Sequence, residues 1–148
     1  MTQTFVPTTT TDAPVAPVAE TVTDRPLLWR AGLASGVVAG AATTALAAVA
    51  SAAGTSLDIA GEAIPVIGFA QLTIVCAAIG VVIARVLARR ARHPRSTFTR
   101  TTVGLTLLSL VPDVTAQAAT STKLLLIATH LVAAAIVIPV LAGRLADR

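Results

Sequence analysis

The sequence predicts an all-α integral membrane protein: a bundle of four transmembrane helices behind a disordered N-terminal tail. Three observations carry that prediction. Hydrophobic residues make up 55% of the 148-residue chain and charged residues only 12%, too little charge to clothe a soluble domain of this size. The apolar residues gather in four runs, 30–53, 64–87, 101–120 and 122–143. Each is near the roughly 20 residues that carry a helix across about 30 Å of hydrocarbon. The charges lie between these runs or at their edges (Arg30, Arg85, Lys123), with one exception inside the third. A membrane barrel would need segments of about ten residues alternating in polarity, and the chain shows none.

The opening segment, residues 1–26, is rich in Thr, Pro, Val and Ala without a sustained apolar face. That composition predicts a disordered cytoplasmic tail. Its Asp12, Glu20 and Asp24 do not suit the short basic start of a secretory signal. The first run ends in AVASA, which resembles a small-residue cleavage site. The run exceeds the usual core of about 7–15 residues, however, and reads as a retained span.

Within that span Gly32, Gly36, Gly40, Thr44, Ala48 and Ala52 recur at every fourth position. Such positions share a helical face, and a face without bulky side chains lets another helix approach closely in lipid. Another span of the same chain or a second copy could fill it, and spacing does not separate these. The following loop, GTSLDIAGEA, carries Asp58 and Glu62.

The second run leads into RVLARRARHPRSTFTR. Arg85, Arg89 and Arg92 have helical spacing, which predicts a short extension whose side chains snorkel to the interface. Pro94 should end it. Trp29 and Phe98 fall at the predicted inner boundaries, where aromatics anchor spans among headgroups. Cys76 sits mid-span without a partner cysteine and reads as a small buried hydrophobe.

The basic balance does not imply nucleic acid. Arg25, Arg30, Arg85, Arg89, Arg90, Arg92, Arg95, Arg100, Arg144 and Arg148 all fall on one side of the predicted topology, and only Lys123 on the other. The positive-inside rule then places both termini and the Arg-rich loop in the cytoplasm. The implied partner is the lipid bilayer, with anionic lipids touching the loop.

The third run contains SLVPDVTAQAAT. Thr102, Thr106, Ser109, Asp113, Gln117 and Thr120 are spaced as one helical face, so Asp113 belongs to a polar seam. A charge against lipid at mid-span costs about 2.5–3.5 kcal/mol, which turns the seam towards other helices or a water-filled cavity. Pro112 leaves the Leu108 carbonyl without its usual donor, opening the helix beside the carboxyl group. His130 is the one titratable residue in the interior of the fourth run, Lys123 standing at its edge. A tight turn at Ser121 and Thr122 would set Asp113 and His130 at equal depth, about 12 Å below the outer end. Gln71 and Thr44 count to a similar level, completing a polar layer. The pair reads either as a hydrogen bond tying two helices or as a proton-responsive or ligand-binding site. No nucleophile triad, phosphate loop or metal-spaced ligand set accompanies it. One Asp and one His are too few for a zinc site, so neither an enzyme nor a cofactor is expected.

Taken together, EAIPVIGFAQLT, RRARHPRSTFTRTT, LTLLSLVPD and LLLIATHLVAAAIVIPVLA resemble a family of small actinobacterial membrane proteins catalogued as a domain of unknown function. The resemblance covers residues 28 to 145. It implies four spans in an inner membrane and no assigned chemistry. The residues themselves favour a structural or accessory component that associates through helix packing, with a membrane partner or as a homo-oligomer. The alternative is a small transporter or proton-responsive small-molecule binder using Asp113 and His130. A quinone-handling or redox component is the weakest reading, for want of any cofactor-ligand pattern.

Overall fold

The structure is a computed structural model that describes residues 25–146. The predicted tail therefore lies outside the described residues, except its last two positions, which open the first helix. In chain order the elements are α1 (Arg25–Ala52), β1 (Asp58–Ile59), β2 (Glu62–Ala63), α2 (Val66–Arg90), α3 (Pro94–Thr115) and α4 (Thr120–Ala142). Three stretches are long and apolar enough to cross a membrane: Leu27–Ala52, Val66–Arg90 and Thr120–Ala142.

The third helix is not among them, and its predicted limits, 101–120, need correction at both ends. Pro94 does more than follow α2, which stops at Arg90; it opens α3. Its missing N–H is no loss in a first turn, where no intrahelical acceptor exists. The early start draws Arg95 and Arg100 into α3, diluting its apolar character. At the other end α3 stops at Thr115, and the predicted tight turn at 121–122 gives way to a connection over 116–119. Gln117 lies on that connection and Thr120 on α4, so the seam of six residues does not run along one helix.

Helix α1 packs against both α2 and α4. Its buried face includes Leu28, Gly32, Ser35, Gly36, Ala39, Gly40, Thr43 and Ala47. A Cβ added to Gly32 would overlap a methyl of Val81, and one on Gly36 would come within 2.9 Å of the Ala77 Cβ. At Gly40 the space is ordinary, 3.5 Å from the Ala70 backbone. The glycines of the strip are thus consumed by α2 of the same chain. The rest of the strip leaves the contact, since Ala48 and Ala52 are exposed. A four-residue step overshoots one turn of 3.6 residues by about 40°, so the face drifts. Thr43, one position before the predicted Thr44, is the threonine that meets α2: its hydroxyl lies 3.1 Å from that of Thr73.

Two apolar clusters close the molecule at opposite ends. Leu28, Val81, Ala84, Phe98 and Leu141 form one, and Ala47, Phe69, Leu125 and Leu126 the other. Phe98 is completely buried, which corrects its reading as a headgroup anchor; it fills the junction of α3 with α1, α2 and α4. At the far end the first loop forms a two-stranded antiparallel hairpin that pairs Asp58 with Ala63 and Ile59 with Glu62. Ala60 and Gly61 turn it with φ of 55° and 84°, the positive pair that a tight primed turn requires. The Ala60 N–H donates to the Gln117 carbonyl at 2.8 Å, and the Thr122 hydroxyl donates to the Ser56 carbonyl. Helix α3 therefore leaves the arginine-bearing end and arrives at the hairpin end.

Candidate functional site

Asp113 and His130 meet. The Asp113 Oδ2 lies 3.0 Å from the His130 Nδ1. Asp113 is two residues from the end of α3, whereas His130 is about three turns into α4. The connection accounts for the match in level. Ala116 and Ala119 have extended ψ angles of 146° and 150°, and extended chain gains more length per residue than helix. This offsets the two helices along their axes. Lys123, from the first turn of α4, donates through Nζ to the Val114 carbonyl at 3.0 Å. A cation there satisfies a carbonyl that the end of α3 leaves without an intrahelical donor.

The contact is an ion-pair approach rather than an aligned hydrogen bond. The His130 Nδ1 also lies 2.9 Å from the Leu126 carbonyl, one turn back on its own helix. A ring nitrogen carries one hydrogen at most, and the aligned acceptor is that carbonyl. Asp113 is 8% exposed, and its Oδ2 is buried without a hydrogen-bond partner. A buried acceptor left in that condition is costly.

Asp113 and His130 line a recess of about 250 Å³ with Ile64, Phe69, Leu72, Thr73, Cys76, Leu126 and Thr129. A second cleft of about 220 Å³ adjoins it between α2, α3 and α4, and shares Thr73, Cys76, His130 and Ala133. The hydroxyls of the seam face this second cleft, but their hydrogens are already used. Thr102 donates to the Phe98 carbonyl, Thr106 to that of Thr102, and Ser109 to that of Thr106, at 2.7–2.9 Å. Intrahelical bonding of this kind leaves the groove more apolar than its residue names suggest.

The remaining expected site residues scatter. Gln71 is exposed on the outward side of α2, and the Gln117 side chain is exposed on the connection; neither joins the pair. The Thr44 Oγ1 is buried without a partner. Arg89, Arg90 and Arg92 line a shallow surface recess with His93, Arg95 and Arg100 lie on the first turns of α3, and Arg85 is half-buried. Cys76 is exposed rather than buried and lines both clefts. Sequence reasoning missed the wall it belongs to, although Phe69, Thr73, Cys76, Gly80 and Ile83 are spaced as one face of α2. Among the described residues no three or more His, Cys, Asp or Glu side chains are grouped to hold a metal.

Residues 23–147 match a family described as a family of unknown function, DUF6069, and the chain belongs to that family. No curated protein and no solved structure matches the chain.

Proposed function

We propose that this chain is a four-crossing inner-membrane protein, not an enzyme, that binds a small apolar molecule in the groove between α2, α3 and α4, with binding linked to protons at Asp113 and His130. The observation that carries the reading is that Asp113, with one carboxyl oxygen buried and unpartnered among the described residues, lines a recess. The outward face of α3 beyond Arg100 supports a fourth crossing: Val103, Leu105, Leu107, Leu108, Val111 and Val114 are all exposed. So does its course, because α3 has to travel from the arginine end to the hairpin end for α4 to begin beside Ser56. The arginines of the α2–α3 connection lie at the same end as Arg30 and Arg144, and by the positive-inside rule this supports a cytoplasmic side for both termini. Reporter fusions at Ser56 and Arg148 should accordingly report opposite sides, Ser56 outside. An external Arg148 would overturn the topology.

The competing reading, a structural or accessory component, is favoured by the ties between helices, Asp113 to His130 and Thr43 to Thr73. Its route to a partner is weaker, because Gly32, Gly36 and Gly40 are covered from within. The proton linkage is tested by pH. Protein in lipid nanodiscs should show an unfolding temperature that changes across a pH series. Asp113→Asn with His130→Gln keeps hydrogen-bonding groups in place and should fold equally well with a flatter profile. The other titratable group facing the pair is Cys76 from α2; Lys123 is turned to the Val114 carbonyl, and neither Asp58 nor Glu62 lines the recess. Cys76→Ser in both proteins removes the thiol, and the difference between profiles cancels distant groups. Identical profiles would overturn the proton linkage.

A further inference from the structure

We infer that the recess beside Asp113 takes a lipophilic amine in its ammonium form; this rests on the small-molecule reading above and adds the chemical class. The Asp113 carboxyl belongs to the wall of the recess, and among the described residues its Oδ2, which is buried, has no hydrogen-bond partner. The group that completes it must be a donor, and the neighbouring imidazole does not serve. Its Nδ1 hydrogen has the Leu126 carbonyl as aligned acceptor, leaving the carboxylate with proximity but no bond.

Three further features narrow the donor to a cation with an apolar body. Among the described residues no lysine or arginine lines the recess, so an ionised Asp113 has no counter-charge from them there beyond a protonated His130. An ammonium supplies both charge and hydrogens, and charge-assisted hydrogen bonds are the stronger kind. A hydroxyl would supply the hydrogen alone, and an anion would be repelled. Phe69 lines the same wall, and an aromatic face attracts a desolvated ammonium. The remaining walls, Ile64, Leu72 and Leu126 with the adjoining cleft, suit an alkyl or aryl body rather than a polar one. Entry is from the side, since exposed Leu72, Cys76 and Ile79 of α2 and Leu105 of α3 border the groove.

Cys76 reports occupancy directly, because it lines both clefts and is the only cysteine of the chain. The rate of its alkylation by a membrane-permeant maleimide would be followed in zwitterionic nanodiscs with octylammonium or octanol, compared at equal concentration in the bilayer. Octylammonium should slow alkylation at a concentration at least about tenfold below that needed of octanol, the advantage of a charge-assisted bond. Asp113→Asn should abolish the difference, and the wild-type comparison stands even if that variant folds poorly. Equal protection by the two compounds would overturn the ammonium assignment while keeping an apolar groove, one that a lipid acyl chain could also fill. Protection by neither, or a thiol that never reacts, would overturn both this assignment and the small-molecule reading.

Discussion

Gly32→Leu should be the most damaging single substitution in α1. Even the first carbon of the new side chain would occupy the position of a Val81 methyl. Val81 cannot yield easily: it is 1% exposed and packed with Leu28, Ala84 and Leu141. Overpacking a filled core costs about 1–3 kcal/mol, and more where no neighbour can move. The upper end is expected here, because the clash falls on a buried β-branched side chain that is stiff at χ1. Gly36→Leu should act in the same direction against Ala77. Val37 points outward at 59% exposure, so Val37→Leu should stay within about 0.5 kcal/mol of the parent. Unfolding in detergent, followed by helical content, is the measurement. Equal losses for Gly32→Leu and Val37→Leu would remove the packing account of α1.

That seam was legible in the sequence because glycine at every fourth position has a direct steric meaning. Its fading beyond Gly40 was legible too, had the drift of a four-residue step been followed along the helix. Other features depended on tertiary partners. Ala116 to Ala119 contains strong helix formers and reads as the continuation of α3. Tertiary contacts override that propensity: the hairpin donates its Ala60 N–H to the Gln117 carbonyl, which a continuous helix would have kept for itself. The hairpin had only a faint signal, since Ala-Gly is a poor substitute for the Asn-Gly that marks such turns. Phe98 reads as interfacial when the span begins at Thr101; with α3 beginning at Pro94 it lies a full turn inside. The closeness of Asp113 and His130 could be anticipated from helical spacing and depth, although the turn used for that count lies elsewhere. The recess beside them could not. It is a space between helices, and its wall on α2 is made of residues with no striking chemistry of their own, Cys76 included.

Replacing both members of the pair by leucine tests why the chain retains it. His130→Leu alone leaves Asp113 buried beside neither a cation nor a donor. Breaking a buried pair from one side costs about 3–5 kcal/mol, and the lower end is expected because the His130 side chain is 30% exposed. Asp113→Leu with His130→Leu removes both desolvation penalties at once. Apolar replacement of a buried ion pair is often neutral or stabilising, and polar contacts between membrane helices average only about 0.6 kcal/mol. The larger side chain at position 113 also has room in the recess of about 250 Å³ that Asp113 lines. The double variant should therefore be at least as stable as the parent, while losing the octylammonium protection of Cys76. Such non-additivity is the mark of directly coupled residues. It would mean that an aspartate and a histidine sit between α3 and α4 without being needed to hold them together, as expected of residues kept for binding. If the double variant instead loses as much stability as His130→Leu alone, the pair is a structural tie, and the binding reading loses its anchor.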